Sequence, residues 1–249
     1  MSDSTSFEER LRLIRQRIAA AAGRAHRDPA AVRLIAVSKG QGAALIRDAF
    51  AAGMREFGEN YLEEAEPKIR ALDSSITWHM IGHVQSRKAK GVMGLFPFIH
   101  SLDSAALARR LSRFAEEHGR TVNILLECNL SGEATKFGFP AADPSSWESL
   151  AHQWEQILPL PGITVIGLMT MAPYSQDPET SRPVFRKLRE LQNAVRKVLP
   201  AVIGPELSMG MSDDFEQAVE EGATMVRIGR ALFGLREGGG ERPPAGPMI

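Results

Sequence analysis

Apolar residues fall along this chain in two rhythms. The first is helical: Phe7, Leu11, Ile14, Ile18 and Ala22 recur at steps of four, three, four and four. They follow Ser6-Phe7-Glu8-Glu9, in which serine and glutamate have the spacing of a capping box. An amphipathic helix is therefore expected ahead of everything else. The second rhythm is a series of short apolar runs, each stopped by a polar residue or glycine. Its first member, Arg33-Leu34-Ile35-Ala36-Val37-Ser38-Lys39-Gly40, has four apolar residues in a row. Such a run suits a strand buried on both faces, as parallel sheets require.

The same pattern predicts strands at 55–58, 77–82, 98–102, 122–128, 163–169, 206–209 and 224–228. Helices are expected between them: 43–52, ended by Gly53; 61–72; a basic one from Gln85 through Arg87, Lys88 and Lys90; 105–118, capped by Asp103 or Ser104; one near 147–156; 179–199, with Pro183 early; and 213–221, opened by Ser212. Eight strand–helix units without a hairpin signal predict the α/β class and a (β/α)8 TIM barrel with an extra N-terminal helix. A doubly wound open sheet is the rival. It would normally carry a glycine-rich loop after the first strand, and Ser38-Lys39-Gly40-Gln41-Gly42 matches neither G-x-G-x-x-G nor the G-x-x-x-x-G-K-[ST] phosphate loop.

The chain has 249 residues, enough for one barrel, and its 30 basic and 30 acidic residues cancel. There is no global field to attract nucleic acid or an anionic membrane, and the basic stretch at 87–90 is expected to be a solvated helix face. Cys128 is the single cysteine, which excludes an internal disulfide and a cysteine metal cluster and fits a reducing compartment. No signal peptide or membrane span is legible, so a cytoplasmic protein is expected. Residues 1–236 are read as a single barrel and 237–249 as a disordered tail rich in glycine and proline.

Chemistry gathers at two places. Lys39 falls at the C-terminal edge of the first strand, where barrel loops build binding sites; partial burial would favour a free amine able to attack a carbonyl. The plain alternative is a lysine where a strand meets water. The second place is Leu207-Ser208-Met209-Gly210-Met211-Ser212-Asp213 with Met225-Val226-Arg227-Ile228-Gly229-Arg230. These are the ends of the seventh and eighth strands, a common phosphate site in barrels. Gly229 lets the backbone approach an anion, the amides at the start of 230–233 point at it, and Ser208 could add a hydroxyl. Two ordinary strand ends with glycine turns would look similar.

A lysine facing a phosphate cradle suits a ligand with both an aldehyde and a phosphate, and pyridoxal 5'-phosphate meets both demands. Alternation puts Arg227 on the face of Gly229, able to reach the barrel mouth. An arginine facing the pyridine nitrogen leaves it unprotonated and weakens the ring as an electron sink. An ion pair across the barrel would be the structural alternative for Arg227.

At these residues the sequence resembles the pyridoxal phosphate homeostasis family, also called the proline synthase co-transcribed family. The resemblance rests on Ala36-Val37-Ser38-Lys39, Phe57-Gly58-Glu59-Asn60-Tyr61, Trp78-His79-Met80-Ile81-Gly82-His83-Val84-Gln85, Ser101-Leu102-Asp103, Gly167-Leu168-Met169-Thr170-Met171 and residues 207–234. It implies a barrel like the N-terminal domain of alanine racemase and a cofactor held as a Schiff base on Lys39. It also implies phosphate contacts from Ser208, Gly229 and Arg230, a ring-nitrogen partner in Arg227 and a lining role for Asn60. Position 230 departs from the family, where a small hydroxyl residue is frequent, so only its backbone amide carries over. Position 87 is arginine where asparagine is common, and the loop 131–136 departs mildly, which leaves the role of Lys136 open.

The function implied is a pyridoxal phosphate carrier with little or no catalysis that takes part in cofactor homeostasis, with apo pyridoxal phosphate-dependent enzymes as candidate recipients. A racemase is the first rival. Racemisation needs acid/base groups on both faces of the substrate, and neither Tyr61 nor Tyr174 has an obvious second-base placement. The sequence also leaves no room after the eighth strand for the racemase's second domain, so a monomer is expected. A barrel binding another phosphate ester is the other rival. His79 and His83 could suggest a metal pair, but they lack a convincing third ligand.

Overall fold

The computed structural model describes residues 6–199 and 203–234. Eight parallel strands form a closed ring: β1 (Arg33–Val37), β2 (Glu56–Glu59), β3 (Thr77–Met80), β4 (Phe98–Leu102), β5 (Val122–Asn129), β6 (Ile163–Met169), β7 (Glu206–Ser208) and β8 (Met225–Ile228). Each pairs with its sequence neighbour; β8 pairs with β1, and β4 with β5. This is the expected (β/α)8 barrel. A two-residue strand, Phe139–Pro140, extends the sheet beside the end of β5.

Nine helices are described: α1 (Phe7–Arg24), α2 (Ala43–Ala51), α3 (Leu62–Ala71), α4 (Ala89–Leu95), α5 (Ala105–His118), α6 (Trp147–Trp154), α7 (Arg182–Val198), α8 (Phe215–Glu220) and α9 (Arg230–Phe233). The extra helix α1 buries its predicted face, Phe7, Leu11, Ile14, Ile18 and Ala22, and lies against α2, α8 and α9. Arg17 and Arg24 tie it to Glu216 and Glu220 of α8. Ser6 accepts the Glu9 amide as the capping box requires, while the Glu9 carboxylate is engaged by Arg12.

Strand alternation sorts side chains between two compartments. Ala36, Phe57, Trp78, Ile124, Leu168 and Val226 face outward into the continuous apolar layer under the helices. Inward, among the described residues, Ile35, Leu125, Met169 and Met225, with Ile166 against them, form a small apolar cluster.

Several boundaries moved for identifiable reasons. The basic segment after β3 begins as a 3-10 turn, Ser86–Lys88, before α4. The turn Pro178–Ser181, capped by Asp177, precedes α7, which puts Pro183 in the first helical turn where its missing N–H costs nothing. Ser212 does not open α8. Asp214 occupies the N-cap and accepts the Met211 amide at 2.7 Å, while Ser212 is drawn to α9. The expected tail at 237–249 lies outside the described residues.

Of the two caps proposed for α5, Ser104 serves: its Oγ accepts the Leu107 amide at 3.3 Å, while Asp103 is paired with His83. Ser104→Ala is therefore expected to cost about 1 kcal/mol in urea unfolding, the usual worth of such a cap. An unchanged midpoint would remove the assignment.

Candidate functional site

The strand register brings three chain segments to one rim. Ala36 lies opposite Ile228, and Val37 opposite Gly58, so the ends of β8, β1 and β2 are level. Lys39, Asn60, Gly229 and Arg230 therefore gather at the C-terminal mouth, with Lys39 half-buried. The peptide groups around Lys39 are held from α3. Lys68 is buried and donates to the Ser38 carbonyl at 2.9 Å, to Glu59 at 2.8 Å and to Glu64 at 2.6 Å. Glu64 in turn accepts the Gly40 amide, and Ser38 Oγ donates to Glu59 at 2.7 Å. Burial raises the proton affinity of Glu59, more than the bonds from Lys68 and Ser38 lower it. The lysine turn is thus tied down on both sides.

The neighbouring loops pack just as closely. A Cβ on Gly82 would lie 2.3 Å from the Asn60 carbonyl oxygen, so the loop after β3 can meet the loop after β2 only through glycine. Gly229 differs. A Cβ there would meet Val37 at an ordinary 3.5 Å, so the protein's own packing does not call for glycine; close approach of a ligand would. Beyond it, Ser212 Oγ accepts the Ala231 amide at 3.3 Å, and the Arg230 guanidinium turns aside to Asp213.

Arg227 lies inside the barrel, 4% exposed. Its Nη2 donates to the Thr170 carbonyl at 3.0 Å, and its Nη1 to Ser208 Oγ. Among the described residues no carboxylate stands within ion-pair distance of it. Burial loosens its proton, while the fields of Asp214 and Glu127 tighten it; the balance is a pKa pushed down to about 10. It is a cation at neutral pH, and the alternative of a direct ion pair across the barrel is not what the geometry shows.

Ser208 is fully buried, beneath the rim rather than on it. Its Oγ is 2.8 Å from His100 Nδ1; His100 Nε2 is 3.0 Å from His79 Nδ1. His79 Nε2 is 3.0 Å from Glu56 Oε2, an ion-pair approach rather than a well-directed hydrogen bond. Arg33 stands behind Glu56 at 3.7 Å. Burial lowers the pKa of both imidazoles, that of His100 well below the ordinary range, so both rings are neutral. For Glu56, burial opposes ionisation, but His79 and Arg33 outweigh it and hold the carboxyl below its usual range.

The structure separates His79 from His83, whose Nδ1 pairs with Asp103 at 3.0 Å while its ring stacks on Phe137 at 3.7 Å between centroids. Among the described residues no group of three or more histidine, cysteine or acidic side chains could hold a metal. Lys136 pairs with Glu133 and lines a cleft of about 450 Å³ with His83, Asp103 and Phe137. Another cleft, of about 360 Å³, lies at the opposite end of the barrel between α1 and the starts of β1 and β2, away from Lys39. Cys128 is buried, and burial pushes its thiol up, as suits a small apolar residue. No described helix is long and apolar enough to cross a membrane.

Sequence reasoning did not find the Lys68 clamp, the contacts of Thr170 and of Ser212, His100 or Glu127, and it weighed His79 only as half of a metal pair or as a core or loop residue. Glu64 and Lys68 have the i,i+4 spacing of a helical ion pair, and that was the one signal available for the clamp. Nothing local marks Lys68 as buried.

Comparisons with known proteins agree on the family. The model of the alanine racemase N-terminal domain matches residues 10–237. A pyridoxal phosphate homeostasis protein of Aquifex aeolicus is 42% identical over 230 residues, 92% of this chain and 98% of that protein. Its namesake from Pseudomonas aeruginosa is also 42% identical, over 94% of this chain and 98% of its own. Among solved structures, PipY of Synechococcus elongatus with PLP bound is 39% identical, with a TM-score of 0.76, over 89% of this chain and 100% of that one. Alanine racemase of Clostridium difficile shares the fold at 13% identity, with a TM-score of 0.68, over 90% of this chain and 56% of that one.

Glu127, on β5 inside the barrel, carries a pH prediction. Burial first, then the negative field of Asp103, raises its pKa from 4.5 to about 7, against the pull of Arg227. The folded state therefore favours the protonated form, and that contribution to stability is complete below pH 4.5 and lost as pH rises through 7. In ligand-free protein, Glu127→Gln is expected to raise stability by about 3 kcal/mol at pH 8 and by little at pH 5, measured by denaturant unfolding. Equal effects at both pH values would show that Glu127 does not titrate in this range.

Proposed function

Because this chain belongs to the pyridoxal phosphate homeostasis family, whose barrel is the alanine racemase N-terminal domain, we propose that it binds pyridoxal 5'-phosphate and takes part in intracellular homeostasis of that cofactor. The observation that carries this reading is the convergence at one end of the barrel of a clamped lysine turn and a glycine that packing does not require, with a buried arginine cation two residues before that glycine. The cofactor, when bound, supplies an aldehyde and an electron-withdrawing ring.

Lys39 holds it through a Schiff base, with the clamp from Lys68 and Glu64 setting where the amine stands. The backbone at Gly229 and Arg230, with Ser212 beside it, receives the phosphate, and Asn60 lines the mouth. Arg227 faces the ring nitrogen. A guanidinium has no lone pair to take a proton and none to give at neutral pH, so it leaves that nitrogen unprotonated. This restrains carbanion chemistry and favours holding over turnover.

Little or no catalysis fits the placement of the tyrosines as well. Tyr61 is 60% exposed and Tyr174 is 79% exposed, so neither is packed as a second acid/base over the site. Recipients of the cofactor would be apo pyridoxal phosphate-dependent enzymes, and the protein would act in the cytoplasm.

Purified protein given pyridoxal phosphate is expected to turn yellow, and borohydride reduction to place the added mass on Lys39; Lys39→Ala should show neither. A colourless wild type with no adduct would remove the ligand. Steady amino-acid racemisation lost in Lys39→Ala would replace the carrier by an enzyme. We also propose a monomer, for which light scattering should give a mass near 27.3 kDa; a stable dimer would refute it.

A further inference from the structure

The interior of a (β/α)8 barrel is ordinarily filled by layers of branched apolar side chains. Here the interior apolar cluster is small, and a line of polar groups crosses the barrel beside it: Glu56, His79, His100, Ser208 and Arg227. They come from β2, β3, β4, β7 and β8 respectively. Four of the five are buried, and Glu56, half-buried, lines the cleft at the far end. Such a line costs stability unless every member is satisfied, so its direction of donation is constrained.

The two ends determine that direction. Arg227 has only donors to offer, so Ser208 Oγ accepts from it. At the far end the Glu56 carboxylate, held ionised, stands 3.0 Å from His79 Nε2, and its negative field favours the tautomer with the proton on that nitrogen. A neutral imidazole carries one N–H, so His79 Nδ1 is bare and must accept from His100 Nε2. His100 Nδ1 is then bare too. It accepts the single hydroxyl proton of Ser208. One arrangement of protons satisfies the three hydrogen bonds from Arg227 to His79 and turns an N–H towards the Glu56 carboxylate.

We propose that His100, backed by His79 and Glu56, is a positioning residue for Arg227: by taking the Ser208 proton it turns the serine lone pair to the guanidinium and holds that cation in place. The Ser208 hydroxyl is consequently committed and is not a donor to the phosphate, in contrast to the role first expected for it. The consequence for the cofactor rests on the function proposed above; the proton arrangement itself does not.

The test is nitrogen-15 NMR of ligand-free protein, with wild type, His100→Leu, His100→Gln and, for assignment, His79→Gln. Wild type is expected to show both buried rings neutral, with Nε2 protonated and Nδ1 bare. A glutamine at position 100 can still accept from Ser208 and donate to His79; leucine can do neither. Solvent exchange of the Arg227 guanidinium protons is expected to rise about tenfold in the leucine variant and to stay within about threefold of wild type in the glutamine variant, on the scale of one lost buried hydrogen bond. The dissociation constant for pyridoxal phosphate should follow the same order.

A protonated His100 Nδ1 in wild type would overturn the proposal, and that result does not depend on any variant folding. Equal losses in the leucine and glutamine variants would overturn it as well, since they would reveal a packing role only. Wild-type protein that takes no pyridoxal phosphate would defeat the proposed function while leaving the tautomers and arginine exchange to decide this inference.

Discussion

The structure depends on keeping a guanidinium charged inside a barrel. A buried cation is tolerated only where the protein replaces its water, and Arg227 obtains that from the Thr170 carbonyl and the Ser208 hydroxyl, with the fields of Asp214 and Glu127 added. Each of these partners enters from a different strand or loop. The closed strand ring is what holds them at fixed separations, and displacing the carbonyl or the hydroxyl would leave the cation partly unsolvated. The small apolar cluster in the interior is the counterpart of this choice: space that could have stabilised the barrel by apolar packing is given to polar groups that set the electrostatics of its mouth.

The lysine is handled differently. Its neighbours Ser38 and Gly40 are tied to one buried helix residue, Lys68, and that residue's carboxylate partners Glu59 and Glu64. Rigid supports of this kind let a side chain on a loop be placed as accurately as one on a strand. The two devices meet because β1 and β8 are adjacent in the closed ring. That adjacency joins the ends of the chain's first and last strands, and α1 braces the same seam through its packing on α8 and α9.

The fold was legible because its signals are local. Four apolar residues before Lys39, the run at 98–102 and the helical steps from Phe7 to Ala22 each declare an element without reference to the rest of the chain. Boundaries were less legible where two local signals competed. Ser212 looks like a helix cap, yet its hydroxyl is drawn to an amide of α9, and a helix cap cannot be assigned from sequence when a second backbone donor lies within reach only in three dimensions. The positions of Lys39, Asn60, Gly229 and Arg230 at the rim were legible for the same reason as the fold, since each closely follows a strand, and alternation placed Arg227, inside β8, on the face of Gly229.

By itself the sequence determined the order and spacing of strands and helices, and through them which residues would stand at the C-terminal mouth. It did so because period and punctuation are properties of neighbouring residues. Only the tertiary structure decided what those residues do to one another. That Lys68 is buried, that Ser208 faces His100 rather than the rim, that burial and Asp103 push the Glu127 carboxyl up and that Arg227 is held by a hydroxyl and a carbonyl all depend on groups brought together from distant strands. Burial and proton affinity are set by those through-space neighbours and by the exclusion of water, and a closed barrel imposes both only once it has closed.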